Sequence, residues 1–188
     1  LIPDGIDLVV YTPAIPGNHK ELNYFQNNNF KILKRAQVLG LISANRKTIA
    51  VAGTHGKTTT TAILTHILKS CGVDCTSFMG GIARNFESNF VAGKSEWVVM
   101  EADEFDRSFL NIFPEIAVIT SMDADHLDIY GDKLSLHQSF REFVSQVKDT
   151  LFYKSDLPLS SEVNKNIAFE NYGFDVADVK ALNIRAEA

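Results

Sequence analysis

The stretch that decides the fold is VAGTHGKTTTTAIL, residues 51–64. An apolar run leads into a turn bracketed by Gly53 and Gly56, and Lys57 and four threonines follow. Glycines permit backbone angles that turn several N–H groups toward one anion, and the positive end of a following helix adds to the attraction. We therefore predict a phosphate-binding loop. Its sequence differs from the common P-loop motif, because Val51 occupies the position of the first glycine in that motif.

Two side chains in this loop carry the predicted chemistry. Lys57 supplies a charge for the β- and γ-phosphates of a nucleotide, and Thr58 supplies a hydroxyl for Mg²⁺. The alternative is a glycine turn that simply leads into a capped helix. The position of the motif, between a buried strand and a helix, favours the phosphate loop.

Strands and helices alternate on both sides of the loop, and the strands are continuously apolar. This pattern predicts an α/β fold with a parallel sheet flanked by helices. The apolar residues of 57–70 predict a helix that ends before Gly72, and Leu136, Phe140 and Val144 predict the buried face of a helix over 134–147. The predicted strands are 6–11, a short one within 31–34, 48–53, 74–81, 97–104, one beginning at 116, and three short ones beyond Asp149; further helices are predicted from about residue 20 and within 31–43.

Acidic residues follow two of the predicted strands. Glu101 ends the apolar run Trp97–Met100, and DADHLD spans 123–128. Ligands of parallel sheets bind outside the carboxyl ends of the strands, where the loop also lies. Glu101 is therefore a candidate Mg²⁺ ligand, with an N-capping acid as the alternative. We expect most of the acids that follow it (Asp103, Glu104 and Asp106) to be solvated or to cap a helix.

Two histidines lie near these strand ends. His126 is a candidate metal ligand, because a neutral imidazole binds metals and its second nitrogen can be fixed by a carboxylate. The alternative is an ordinary loop histidine. His55, inside the loop, either touches nucleotide or substrate or fills the turn.

Composition excludes several functional classes. The chain has 188 residues, 45% of them hydrophobic, and a net charge of -5, which indicates a sizeable core and no basic patch for nucleic acid or an anionic membrane. No apolar run is long enough to span a bilayer, and no signal-peptide pattern opens the chain. Cys71 and Cys75 fit a reducing cytoplasm and do not make a zinc site. Oligomeric state is not indicated.

The polar joint SANRK, residues 43–47, predicts a domain boundary. We assign 1–47 to the C-terminal part of one domain and 48–188 to an incomplete second domain. The chain opens on Leu1 and ends at ALNIRAEA without a capping element. We therefore expect an excised fragment of a longer protein.

With these stretches in place, the chain resembles the Mur ligase family, the ATP-dependent amide-forming enzymes of peptidoglycan synthesis. The Gly-Thr-x-Gly-Lys-Thr-Thr signature of the family matches Gly53–Thr59. Further similarity lies in EADEFDRSFL (101–110), DADHLDIYGD (123–132), the Gly80-Gly81 pair, VVYTPAIP (9–16) and KILKRAQVLG (31–40). The resemblance covers nearly all of 6–148 and is faint after Asp149. It implies that 1–47 ends a Rossmann-like UDP-sugar domain, that 48–188 is a P-loop-type central ATP domain, and that a C-terminal amino-acid domain is absent.

The resemblance also implies roles for individual residues. Lys57 and His126 would be catalytic, and Thr58, Glu101 and His126 would bind metal. Asn89, Thr12 and Arg35 would contact substrate. ATP would be held by the loop residues Gly53, Thr54, His55, Gly56, Lys57, Thr58 and Thr59. Four departures from the family pattern (Pro13, Gln37, Ser121 and Glu87) put substrate contacts in doubt rather than the ATP chemistry.

The implied function is an ATP- and Mg²⁺-dependent ligase, in the cytoplasm, that joins L-alanine to the carboxylate of UDP-N-acetylmuramate through an acyl phosphate. The fragment alone, without the amino-acid domain, is not expected to catalyse the full reaction. One alternative is a recycling ligase that attaches a murein tripeptide to the same sugar nucleotide. Another is a nucleotide-binding module without ligase activity, and folylpolyglutamate synthetase is a more distant one.

Overall fold

The structure, a computed structural model, describes residues 2–123, 132–174 and 176–182. In these residues the helices are α1 (Lys20–Asn27), α2 (Arg35–Ala44), α3 (Lys57–Ser70) and α4 (Lys133–Ser145), with 3-10 segments at Phe105–Asn111 and Ser161–Val163. The strands are β1 (Val9–Tyr11), β2 (Ile32–Lys34), β3 (Lys47–Ala52), β4 (Thr76–Ala83), β5 (Ser88–Val91), β6 (Trp97–Glu101), β7 (Ile116–Ile119), β8 (Thr150–Lys154), β9 (Ala168–Gly173) and β10 (Val179–Lys180).

Most of the described strands form one eight-stranded sheet, in the order β10-β9-β8-β7-β3-β6-β4-β5. All neighbours are parallel except β4 and β5, which pair antiparallel at the edge. The predicted parallel sheet flanked by helices is confirmed. A separate two-stranded parallel sheet joins β1 to β2.

The central strand β3 places the phosphate loop. Five of its six residues are buried, because helices cover both faces of a parallel sheet. Side chains alternate between the faces of a strand, and Ala50 and Ala52 join the main core cluster with Val98 and Met100 of β6. The small alanines leave room on that face for larger side chains.

Aromatic side chains fill the core on that face. Phe109 is fully buried and stacks on Phe143 with ring centroids 5.1 Å apart, and it meets the edge of Phe140 at 5.2 Å. Leu136, Phe140 and Val144 are all buried, as their helical spacing predicted. Helix α4 begins at an N-cap, Asp132, whose side chain accepts the backbone N–H of Ser135 at 2.7 Å. That hydrogen bond holds the pKa of Asp132 below its usual range.

The structure differs from the sequence-based prediction around the glycine pair, Gly80 and Gly81. The strand after residue 74 does not end at the glycine pair: β4 continues through Gly80 and Gly81 to Ala83. The chain then turns through Glu87, at φ 49°, into the antiparallel strand β5, which the sequence did not predict. The other predicted strands and helices that fall on described residues are present, with ends shifted by a few residues.

Residues before β3 pack on the sheet through α2. This helix contacts the Phe105–Asn111 segment as well as β1 and β3. Its Gly40 is buried against the backbone of Asn111: a Cβ at this position would lie 2.5 Å from the Asn111 carbonyl oxygen. None of the helices in the described ranges is long and apolar enough to span a membrane.

Candidate active site

The loop between β3 and α3 has the backbone of an anion cradle. Gly53 and Gly56 have φ values of 133° and 80°, which side chains with a Cβ rarely adopt. Gly53 also lies against the end of β7, since a Cβ there would come within 2.2 Å of Thr120 Oγ1. Helix α3 starts at Lys57, so the N–H groups of its first turn lack intrahelical partners and face the loop.

Residues after β7 hold the loop in shape. The Ser121 hydroxyl accepts the N–H of His55 at 2.8 Å, and its carbonyl accepts the N–H of Thr54 at 3.2 Å. Thr54 is itself buried, and its Oγ1 lies 2.9 Å from Ser121 Oγ. The serine that departs from the family pattern therefore shapes the loop, and the Thr54 side chain is buried against it.

The Lys57 side chain is held by two acceptors from different parts of the fold. Its Nζ donates to the Gly53 carbonyl at 2.8 Å and to Glu104 Oε2 at 2.7 Å. Asp103 Oδ1 lies 3.8 Å away, as an ion pair. The side chain is 13% exposed, so part of it stays accessible to solvent or a ligand.

Glu104 is the exception among the three acids, most of which were expected to be solvated or to cap a helix. Its side chain is fully buried and paired with Lys57, whereas Asp106 is exposed, as expected. Glu104 is a site residue that the sequence argument missed. The signal that could have found it is its place three residues after Glu101 at a strand end that faces the loop lysine.

Thr58 and Glu101 meet at the other side of the loop. Thr58 Oγ1 donates to Glu101 Oε1 at 3.0 Å, and the N–H of Gly80 donates to Glu101 Oε2 at 2.6 Å. The strand register explains the contact, because Glu101 pairs with Val51 in the strand just before the loop. The structure thus brings together two of the predicted metal ligands.

A hydroxyl and a carboxylate are hard oxygen donors of the kind that Mg²⁺ prefers. Across the described ranges no three His, Cys, Asp or Glu side chains cluster as a metal site. Mg²⁺ typically takes one or two protein oxygens and completes its shell with phosphate and water. Thr58 and Glu101 fit that arrangement beside a phosphate loop.

His126, the third predicted metal ligand, lies outside the described residues. His55 is exposed, and its Nε2 is 3.8 Å from Asp123 Oδ2. Thr59 is exposed on the first turn of α3.

A cleft of about 650 Å³ opens beside the loop, over the ends of β7, β8 and β9. His55 and Gly56 form its edge at the loop, and Tyr172, Phe174 and Lys154 line its far side. Burial raises the pKa of the Tyr172 phenol. The hydrogen bond from Lys154 to Asp156, at 2.7 Å, raises the pKa of Lys154.

A second cleft, of about 290 Å³, lies between α2 and the β4–β5 hairpin. Two of the predicted substrate residues, Arg35 and Asn89, line it. Arg35 also borders a smaller depression that reaches Glu101 and Asp103. Thr12 follows β1, is half-buried, and is not part of the lining of either cleft.

Comparison with known proteins fits this geometry. Residues 51–187 match the family model of the Mur ligase middle domain. The chain is 51% identical over 183 residues to the UDP-N-acetylmuramate–L-alanine ligase of Christiangramia forsetii, covering 96% of this chain and 39% of that protein. The chain thus spans about two fifths of the length of the curated relatives it matches.

Solved structures share the fold. The UDP-N-acetylmuramate–alanine ligase MurC of Thermotoga maritima superposes with a TM-score of 0.77 at 27% identity, over 91% of this chain and 39% of that one. The UDP-N-acetylmuramate:L-alanyl-γ-D-glutamyl-meso-diaminopimelate ligase of Neisseria meningitides also gives 0.77, at 23% identity, over 89% and 59% of the two chains. At that identity the second likeness concerns the fold alone.

Proposed function

The chain belongs to the Mur ligase family, and on that basis we propose that the full-length protein joins L-alanine to the carboxylate of UDP-N-acetylmuramate at the expense of ATP. The observation that carries the proposal is the phosphate loop with Lys57 inside it and the Thr58–Glu101 contact at its edge. The 51% identity to a ligase of that name supports the choice of substrates.

The loop binds the triphosphate. Backbone N–H groups at the start of α3 face the anion, and Lys57 brings a charge to the β- and γ-phosphates. The neighbouring cleft of about 650 Å³ has room for the rest of the nucleotide, which agrees with ligand binding outside the carboxyl ends of parallel strands.

Thr58 and Glu101 would hold Mg²⁺. When bound, the cation offsets the negative charge of the phosphate oxygens. Gly80 fixes one oxygen of Glu101 through its N–H, and Thr58 contacts the other, so the carboxylate is already oriented. We keep His126 as a proposed ligand of a second metal ion.

Activation by phosphate solves a problem of leaving groups, because a free carboxylate does not react with an amine at neutral pH. The carboxylate oxygen of the sugar nucleotide attacks the γ-phosphorus, and the bond to ADP breaks. The amine of alanine then attacks the carbonyl carbon of the acyl phosphate, inorganic phosphate leaves, and the nitrogen loses a proton. The protein contributes position and charge neutralisation rather than covalent chemistry.

The sugar nucleotide approaches from the side of α2. Arg35 and Asn89 line the cleft between α2 and the hairpin, and Arg35 also borders the depression at Glu101. We assign residues 1–47 to the end of the UDP-sugar domain and 48–188 to the ATP domain. This assignment places the substrate carboxylate between the two, next to the phosphate loop, with Thr12 at the end of β1 as a further candidate contact.

The first experiment measures phosphate release by the full-length protein with Mg-ATP and UDP-N-acetylmuramate, with L-alanine, glycine, L-serine or murein tripeptide added in turn. Release that needs both the sugar nucleotide and L-alanine is the expected result. Release only with tripeptide would assign the protein to the recycling ligases. ATP turnover independent of sugar nucleotide and amine would leave a nucleotide-binding module and overturn the proposal.

Replacement of the loop lysine tests the site within the same assay. Lys57→Ala is expected to lower kcat by about 10²- to 10³-fold, because a charge aimed at the transferred phosphoryl group is lost. Lys69→Ala is the matched control: it removes a lysine from the last turn of the same helix, where Lys69 pairs with Asp74. Wild-type rates for Lys57→Ala would contradict the assigned role of the loop.

A further inference from the structure

Glu104 is a buried acid in an otherwise accessible acidic run. It is fully buried, whereas Asp103 is partly exposed, and Phe105 and Asp106 are exposed. Burial of a carboxylate is costly unless a charged partner and hydrogen bonds compensate for lost hydration. The partner here is Lys57, 2.7 Å away and 47 positions earlier in the chain.

The geometry at Lys57 leaves one direction open. An ammonium group carries three donors. Among the described residues, Nζ hydrogen-bonds the Gly53 carbonyl and Glu104 Oε2, and Asp103, at 3.8 Å, is beyond hydrogen-bond distance. Two donors are therefore taken by protein acceptors, and the third has no hydrogen-bond acceptor among the described residues and is available to a ligand.

We infer that Glu104 is a positioning residue that holds the phosphate-loop lysine in place for the transferred phosphoryl group. The Gly53 carbonyl fixes Nζ from the loop, and Glu104 fixes it from the segment after β6. A long lysine side chain loses rotamer freedom when it is ordered. Here the contacts with Gly53 and Glu104 order the side chain before the ligand binds. The Lys57 side chain therefore loses less conformational entropy when ATP binds, and its charge already lies beside the phosphate-binding loop. The inference rests on the proposed binding of ATP.

The two glutamates of the EADE run, Glu101 and Glu104, have different contacts and therefore different proposed roles. Glu101 contacts Thr58 and the Gly80 N–H, on the side assigned to the cation. Glu104 contacts the lysine, on the side assigned to phosphate charge. The arrangement makes a specific prediction: loss of Glu104 acts on ATP only through Lys57.

A double-mutant cycle in the full-length protein tests this coupling. The dissociation constant of Mg-ATP is measured calorimetrically for the wild type, Glu104→Gln, Lys57→Met and the double variant. Glu104→Gln is expected to weaken binding about tenfold or more when Lys57 is present, and by less than about twofold in the Lys57→Met background. An equal loss in both backgrounds would mean that Glu104 acts through the fold, and tighter binding by Glu104→Gln would mean that Glu104 competes with phosphate. Either result overturns the inference.

Two further variants distinguish a specific loss of ATP binding from a general loss of folding. Glu104→Asp keeps the buried charge but is one methylene shorter, so it is also expected to weaken ATP binding; wild-type affinity in this variant would overturn the inference. Asp106→Asn is the matched control, because Asp106 lies in the same segment with its side chain 49% exposed, and no change is expected. If the wild type itself fails to bind Mg-ATP, the proposed function falls, whereas binding without coupling removes only this inference.

Discussion

At the scale of single residues, Gly80 determines the position of the Glu101 carboxylate. Its N–H donates to Glu101 Oε2 at 2.6 Å, and a Cβ at residue 80 would lie 2.6 Å from Oε1 and 2.8 Å from the carboxyl carbon. The obstructed group is the end of a flexible side chain, so the fold can adapt by moving the carboxylate. A larger residue at position 80 is therefore expected to displace the Glu101 carboxylate rather than to destabilise the fold.

We predict that Gly80→Ala raises the Mg²⁺ concentration needed for half-maximal ATP turnover by about tenfold, as loss of an orienting partner typically does. Turnover by the full-length protein is measured against Mg²⁺ concentration at saturating ATP. Gly81→Ala is the matched control, because its Cβ would meet Thr58 Cγ2 at an ordinary 3.5 Å. An equal effect of both substitutions, or a large fall in melting temperature for Gly80→Ala alone, would contradict this account.

Among the site residues, those with a local sequence signal were the easiest to predict. Lys57 and Thr58 follow the second glycine of the loop directly, and Glu101 ends an apolar strand, so their place at one edge of the sheet follows from local sequence and topology. For Glu104 the local signal, its place three residues after Glu101 at a strand end, was not enough to predict burial, because that burial depends on a partner 47 positions away. His126 falls outside the described residues and stays a prediction.

At the scale of elements, helix α3 packs on the sheet through hydroxyls rather than through its largest apolar side chains. Thr61 and Thr65 are fully buried, whereas Ile63 and Ile67 are 55% and 51% exposed. Each threonine donates to the carbonyl four residues earlier, and Thr65 Oγ1 also hydrogen-bonds Ser77 Oγ of β4 at 2.8 Å. The helix was predicted correctly, but its apolar residues do not mark the buried face, since the buried hydroxyls there hydrogen-bond backbone carbonyls and Ser77.

We predict that Thr65→Val destabilises the α3–β4 contact by about 1–2 kcal/mol, because it leaves the buried Ser77 hydroxyl without its partner. Adding Ser77→Ala to Thr65→Val is expected to restore about 1 kcal/mol of stability, because removing both polar groups costs less than leaving one buried without a hydrogen-bond partner. Native-state hydrogen exchange of α3 and β4 amides gives the local opening free energies. Ser70→Ala, exposed at the end of α3, should change them by less than about 0.5 kcal/mol. Additive losses in the double variant would show that the hydroxyl pair contributes little.

Strand β5 shows where element prediction failed. Its residues SNFV are short and half polar, so they lack the continuous apolar pattern that identified the central strands. They pair because β4 continues past the glycine pair and leaves an edge for them. An edge strand depends on its neighbour more than on its own sequence.

At the scale of the whole molecule, topology was the most predictable feature. Alternating helices and apolar strands imply a parallel sheet, and parallel strands bring their carboxyl ends to one edge. The loop after β3 and the acid that ends β6 lie there, with their side chains in contact. The packing of helix α2 on this sheet could not be predicted, because it depends on a backbone approach at Gly40 that has no local pattern.

Gly40 sets the distance between α2 and the sheet domain. A Cβ there would lie 2.5 Å from the Asn111 carbonyl oxygen. Relief of this clash requires a shift of either helix α2 or the Phe105–Asn111 segment. Arg35, Val38 and Leu39 of the same helix line the cleft that faces Asn89. A displaced helix is therefore expected to reshape the proposed sugar-nucleotide site first, because the hydrogen bonds of the phosphate loop within the described residues do not involve α2.

We predict that Gly40→Ala raises the KM for UDP-N-acetylmuramate by about tenfold, since misplacement by a fraction of an ångström is costly for a positioned substrate. The dissociation constant of Mg-ATP should stay within about twofold of the wild-type value, because the loop contacts to Gly53, Glu104 and Ser121 do not involve α2. Steady-state kinetics with each substrate varied, together with calorimetry for ATP, separates the two effects. Gly17→Ala is the control, because nothing lies within 4 Å of its added Cβ. Parallel rises in both constants would mean that α2 supports the ATP site as well, and no change in either would mean that the cleft beside α2 does not receive the sugar nucleotide.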